Sequence, residues 1–218
     1  MVSLANSYLS NSKLLSLRNM DREANKIGAR CGSKRTPPKQ FNNRSSAMVF
    51  PAVPYLWGGF DLPSAFNSAM DGDKVAGNRN TDVLPWQFPS TCPVAGVDCS
   101  GFVSRAWNLP QPYTTVGLAG DNISKVVTSV PSLMRGDMLD KVGWHVRLVD
   151  YVHWTSLINT DGVYVWESTV DSSNSVGPFD GVVYKFRTWS EFEYDSTCAN
   201  RGGNCTKYAA RSYQCVTN

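Results

Sequence analysis

Three neighbouring strand-like segments constrain the fold of this chain more than any other feature. They read "HVRLVDYV" (residues 145–152), "VYVWES" (163–168) and "GVVYKFRTW" (181–189), and the turn signal "TDG" (160–162) separates the first two. The segments predicted to be helical come earlier in the chain. An order of helices followed by a run of strands is typical of an α+β domain with a mainly antiparallel sheet.

The 218 residues, 42% of them hydrophobic, suffice for one sizeable core. Residues 1–30 space their apolar side chains as an amphipathic helix would, and a basic, proline-containing connector follows up to residue 50. We expect a main domain over residues 51–190, with a long irregular insertion at 62–97. Residues 191–218 form a cysteine-containing tail that we expect to pack on the same domain.

The net charge of +3 is mildly basic and does not indicate a nucleic-acid-binding surface. No run of residues approaches the length of a membrane span. The first 26 residues lack the compact apolar core of a signal peptide. We therefore expect a monomeric protein that binds no nucleic acid. Either the protein is intracellular, or this chain begins after a removed leader. Of the two, we expect a protein that is secreted or in the cell envelope, with its leader absent from this chain.

The cysteines favour secretion. The chain has six, which are Cys31, Cys92, Cys99, Cys198, Cys205 and Cys215. The last three lie in a polar tail that a disulfide would stabilise. The partner of Cys31 stays open between Cys92 and the tail cysteines. Structural zinc is disfavoured, because no CxxC pair occurs and only two histidines are present. We expect no metal and no cofactor.

Cys99 lies in "GVDCSGFVSRAW" (96–107), where the spacing of Phe102, Val103 and Ala106 predicts a helix that begins at the cysteine. The unpaired N–H groups of a helix N-terminus stabilise a thiolate, and they can also bind the oxyanion of an attacked carbonyl. Cys99 is thus a candidate nucleophile. The alternative is that it forms half of a disulfide.

A nucleophilic cysteine needs a base. His145 and His153 lie at opposite ends of one predicted strand, about 26 Å apart at 3.3 Å per residue, so one of them at most can serve Cys99. If the two strands form a hairpin centred on residue 156, Glu167 lies beside His145 and can orient its ring. A bulge would shift this register. The alternatives are a solvent-exposed strand end for His145, and a solvent-facing or salt-bridge role for Glu167.

The segments "PYLWGGFD", "GVDCSGFVSRAW", "GDML" with "HVRLV", and "VYVWES" occur in the order seen in NlpC-type cell-wall peptidases. Over roughly residues 50–170 the chain resembles this family of papain-like cysteine peptidases. The resemblance implies a papain-like α+β fold in which N-terminal helices pack on a mainly antiparallel sheet. It also implies cleavage of peptide bonds in bacterial cell-wall peptides without a metal.

The resemblance also implies roles for residues. Cys99 matches the nucleophile, His145 the base, and Glu167 the position of the third, polar residue. Tyr55 matches a tyrosine that usually lies beside the nucleophile. Substrate-binding roles are implied for Asp98 and Ser100, and the aromatic residue Trp57 is a further candidate that could equally pack in the core or groove.

The predicted function is hydrolysis of an amide bond in a peptidoglycan stem peptide or cross-bridge, through a Cys–His–Glu triad and an acyl-enzyme. Three alternatives stay open. One is a related amidase or acyltransferase. The others are a secreted antibacterial effector and a non-catalytic cell-wall-binding protein.

Overall fold

A computed structural model describes residues 1–23, 26–27, 30–128, 132–153, 162–174, 177–192 and 208–214. It is a mixed α+β structure. The α-helices are α1 Val2–Ser10, α2 Pro63–Asp71, α3 Cys99–Ala106, α4 Thr115–Leu118 and α5 Trp189–Phe192. Short 3₁₀ helices lie at Gly32–Lys34, Lys39–Phe41 and Pro85–Gln87.

The strands of the first half of the chain are short: β1 Ser12–Leu15, β2 Arg22–Glu23, β3 Lys26–Ile27, β4 Met48–Pro51, β5 Val75–Ala76 and β6 Val94–Ala95. The later strands are β7 Ser124–Val126, β8 Met138–Lys141, β9 His145–His153, β10 Gly162–Asn174, β11 Gly177–Thr188 and β12 Ala209–Tyr213. The three segments predicted from alternation thus lie in β9, β10 and β11.

The later strands form one six-stranded sheet in the order β11-β10-β9-β8-β12-β7. The pairs β9–β10, β8–β9, β8–β12 and β7–β12 are antiparallel. The prediction of an α+β fold with a mainly antiparallel sheet is therefore confirmed.

The chain divides into two compact units. The first comprises Met1–Ala5, Phe102–Glu167 and Tyr184–Asn218. Its core lies on one face of the sheet. There valines of β9 and β10 pack with an aromatic residue of α5 and with one just before β12. This cluster consists of Val127, Leu133, Leu139, Val149, Val163, Val165, Phe192, Tyr208 and Ala210.

The second unit comprises Asn6–Gly101 and Ser168–Val183. Within it β1 pairs with β4, and β5 runs parallel to β6. A disulfide joins Cys31 to Cys92, with 5.2 Å between their Cα atoms. It lies in an apolar cluster with Val75 and Phe88. Of the partners considered for Cys31, the structure selects Cys92, whereas Cys198, Cys205 and Cys215 lie outside the described residues.

Among the described residues of 1–30, the predicted helix is correct only for Val2–Ser10. Beyond it the chain turns into β1, whose partner β4 lies about 36 residues later. Buried Asn11 makes the turn, since its carbonyl accepts from the N–H of Ala52 and its side-chain amide donates to the carbonyl of Ala52. A long-range strand pairing thus outweighs the local helical spacing.

Two other segments are more ordered than their composition indicates. The insertion at 62–97 contains α2, with Pro63 in its first turn, and the β5–β6 pair. The tail contributes β12, which pairs with both β7 and β8 inside the sheet. The buried side chain of Arg211 on β12 donates to Ser124 Oγ and to the carbonyl of Ala119.

The disulfide should contribute measurably to stability. Cys31 and Cys92 are 61 residues apart. A crosslink of that span lowers the conformational entropy of the unfolded chain and thereby stabilises the folded state by about 4 kcal/mol. We expect the double substitution Cys31→Ser/Cys92→Ser to lower the guanidinium unfolding midpoint under non-reducing conditions. Cys99→Ser, which removes a thiol but no described crosslink, is the control. Equal midpoints for the wild type and the double variant would contradict the prediction.

Candidate active site

Cys99 is the first residue of α3, as the sequence predicts, and lies in the second unit. It is 5% exposed, and it is not disulfide-bonded in the part of the chain that the structure describes. The alternative of a structural disulfide at Cys99 thus finds no support among the described cysteines. The role of Cys99 as the nucleophile stays a prediction.

Asp98 caps the start of α3. Its Oδ1 accepts from the N–H of Gly101 at 2.6 Å and from the Ser100 hydroxyl at 3.1 Å, and its Oδ2 accepts from the N–H of Gly58 at 2.9 Å. Burial raises the pKa of this carboxyl group to about 6, although the hydrogen bonds favour the ionised form. The side chains of Asp98 and Ser100 are therefore engaged in holding the helix start that carries Cys99.

Close backbone contacts explain why glycine occurs at position 59 in "PYLWGGFD" and at position 101 in "GVDCSGFVSRAW". A Cβ atom at Gly101 would lie 2.0 Å from the carbonyl oxygen of Gly59, and one at Gly59 would lie 2.6 Å from that of Gly96. The N–H of Asp98 donates to the same Gly59 carbonyl at 3.2 Å. The "WGG" and "CSG" segments thus fit together because Gly101 carries no side chain.

Tyr55 and Trp57 lie on the segment that runs beside this helix start. A parallel bridge places Tyr55 opposite Val97, and the N–H of Trp57 donates to the carbonyl of Asn78. Tyr55 is buried, and burial together with the nearby charges of Cys99 and Asp98 raises the pKa of its phenol well above the ordinary value. The structure thus brings Tyr55 close to Cys99, whereas Trp57 is half-buried.

His145 and Glu167 meet in the first unit. The Nε2 atom of His145 lies 2.7 Å from Oε2 of Glu167, which is fully buried. This pairing was predicted, but the predicted register was wrong. Tyr164 pairs with Tyr151 and Val165 with Val149, so Asp150 is an extra residue on β9 and changes the pairing by one position. Between this bulge and His145 the observed register differs from the predicted one by two residues.

A shift of two keeps the side chains between the bulge and His145 on their predicted face, because side chains alternate with a period of two. Trp166 pairs with Leu148, which brings Glu167 level with Arg147 rather than with His145. His145 then reaches the carboxylate diagonally from the same face. With Nε2 engaged by Glu167, the ring has Nδ1 as its second nitrogen for a proton transfer.

Two arginines, which the sequence reasoning missed, also bind Glu167. Arg147 Nε donates to Oε2 at 2.7 Å, and Arg187 donates to Oε1. Burial alone would raise the pKa of Glu167, but the hydrogen bond with His145 and the two guanidinium groups hold it well below its ordinary value. Burial lowers the pKa of His145, with Arg147 and Arg187 acting in the same direction and Glu167 opposing them.

His153 lies at the far end of β9. Its ring makes edge contacts with Tyr151 and Phe186, at centroid distances of 6.3 and 6.1 Å. Nothing in these contacts pairs it with a carboxylate. Of the two histidines, His145 is the one held by an acid.

Among the described residues there is no cluster of three or more His, Cys, Asp or Glu side chains placed to hold a metal ion. In the same part of the chain, no helix is long and apolar enough to span a membrane. Comparison of the chain with family models, curated proteins and solved structures gives no match.

The Gly59–Gly101 approach predicts that Gly101→Ala destabilises the start of α3. The added methyl group would clash with backbone, which cannot rotate away, so we expect a loss of roughly 2 kcal/mol or more in unfolding free energy. Gly72→Ala is the matched control, since its methyl group would meet no atom closer than 3.5 Å. Equal unfolding midpoints for the two variants in urea would refute the close approach.

The buried carboxylate predicts acid sensitivity. Because the pKa of Glu167 is lowered on folding, its stabilising contribution is present above about pH 4.5 and is lost as pH falls towards the folded pKa. The wild type should lose unfolding free energy between pH 5 and 3. We expect Glu167→Gln to lose less over the same range, by on the order of 1–2 kcal/mol. Glu191→Gln, at a half-exposed partner of Arg187, should leave that pH dependence nearly unchanged.

Proposed function

We propose that this chain is a secreted or cell-envelope cysteine hydrolase of the papain-like NlpC type, and that it cleaves amide bonds in bacterial cell-wall peptides. The observation that carries the proposal is the 2.7 Å hydrogen bond between His145 and Glu167. These two residues were paired on the sequence because a Cys–His mechanism requires an oriented imidazole. A second support is the position of Cys99 as the first residue of α3.

In the proposed mechanism His145 accepts the proton of the Cys99 thiol through Nδ1, and the sulfur attacks the carbonyl carbon of the substrate. The negative charge that develops on the carbonyl oxygen is stabilised by N–H groups at the start of α3, and Tyr55 is positioned beside Cys99 to contribute its hydroxyl. His145 then gives the proton to the departing amine. Water, deprotonated by His145, releases the acyl group and restores the thiol.

Asp98 and Ser100 take a different part in this proposal from the one first expected. Their side chains bind each other and the backbone at the helix start, so they support the nucleophile rather than contact the substrate. Substrate binding then falls to backbone groups near Cys99 and to aromatic side chains, for which Trp57 and Trp86 are the candidates. Trp86 is 75% exposed, and Leu84 and Pro85 just before it pack against Gly58.

The proposed location agrees with the Cys31–Cys92 disulfide, since disulfides persist in oxidising compartments. The mildly basic surface favours contact with anionic cell-wall polymers. The substrate class itself follows from the resemblance of the motifs to NlpC-type peptidases.

The test is digestion of purified peptidoglycan followed by mass spectrometry of the released peptides. We expect Cys99→Ala and His145→Ala to lower the rate of release by at least about a thousandfold, because each removes a group that takes part in bond cleavage. His153→Ala is the matched control on the same strand and should retain activity. Circular dichroism of each variant checks that it has folded.

Each outcome separates the proposal from its alternatives. Equal release by wild type and Cys99→Ala would refute it and would favour a binding protein. If an added primary amine appears in the products in place of water, the chain is an acyltransferase that uses the same residues.

A further inference from the structure

Glu167 is surrounded by more positive charge than a carboxylate needs in order to orient a histidine ring. Arg147 on β9 and Arg187 on β11 approach the carboxylate from both neighbouring strands of β10. Among the described residues of this unit, Lys141 on β8 is the cross-strand partner of His145, and Lys185 on β11, Glu191 on α5 and Tyr208 before β12 lie near Glu167 or its two arginines. Within the part of the chain that the structure describes, cationic groups therefore outnumber carboxylates around this cluster.

A lone buried carboxylate beside a histidine would bind the ring as an ion pair and would retain its proton. Such a ring accepts a proton readily but releases it poorly. In the proposed hydrolysis His145 must do both, first taking the thiol proton and then giving it to the leaving amine.

We propose that Arg147 and Arg187 are positioning residues that neutralise Glu167, so that the carboxylate orients the His145 ring without trapping its proton. This inference rests on the proposed function for its purpose, although its electrostatic content can be measured without any substrate. Glu167 would then act on His145 much as an uncharged amide acceptor would.

Both arginines are held in place by other contacts. The Arg147 guanidinium lies over the rings of Phe192 and Tyr208, at 5.1 and 4.5 Å from their centroids. Arg187 also pairs with Glu191 at 3.6 Å. Their side chains are only 13% and 21% exposed, so solvent screens them weakly from Glu167. The two charges are therefore fixed parts of the site.

The experiment follows the His145 ring by NMR over a pH titration. The chain has two histidines, so the His153→Gln variant assigns both signals. We expect Arg187→Gln to raise the pKa of His145 by about one unit, because it removes a nearby positive charge. Arg187→Lys keeps that charge and should leave the pKa close to the wild-type value.

The double variant Glu167→Gln/Arg187→Gln removes one negative and one positive charge together. It should return the His145 pKa to near the wild-type value, and it remains informative if the single Arg187→Gln variant does not fold. Arg135→Gln is the matched control, because Arg135 pairs with Asp150 on the same strand as His145 but does not bind Glu167. It should leave the His145 titration unchanged.

An unchanged His145 pKa in Arg187→Gln would overturn the inference, and so would an equal shift in Arg187→Lys and Arg187→Gln. These results are independent of turnover. Loss of the proposed hydrolase function would appear instead as equal peptide release by wild type and Cys99→Ala.

Discussion

The buried carboxylate of Glu167 is the constraint on which the first unit depends. An ionised group without solvent exposure is tolerated only when charged and hydrogen-bonding partners surround it. His145, Arg147 and Arg187 supply those partners from β9 and β11. A slip of either strand by one residue would turn a partner to the opposite face and leave the charge unpaired. Glu167 thereby fixes the register of three strands, as well as orienting the histidine.

The second unit uses a different principle at Cys99. There the positions are set by backbone contact, since Gly59 and Gly101 approach so closely that no side chain fits between them. Asp98 then ties the helix start to the N–H of Gly58. Short, glycine-rich motifs separated by about forty residues are in this way folded into one local arrangement, which explains why the sequence contains glycine at these positions.

Features that depend on local pattern could be predicted from the sequence. Alternation identified β9, β10 and β11, and helical spacing identified the start of α3 at Cys99. The His145–Glu167 pair survived an error in register because the error was an even number of residues. Arg147 lies two residues from His145, so alternation alone could have placed it on the same face. Arg187 could not be placed in this way, because its position depends on β11 lying beside β10. The pairings of β1 with β4 and of β12 with β8 join distant segments, and no local signal specifies them.

The position of β12 has a consequence for how the protein is made. Among the described strands β12 (Ala209–Tyr213) comes last in the chain, yet it lies between β7 and β8 within the sheet. While a ribosome is still synthesising the chain, β8 therefore lacks one of its two neighbours. The sheet can be completed only after residue 213 has emerged, so folding is delayed until nearly all of these residues are available. A protein that crosses a membrane before it folds would gain from such a delay.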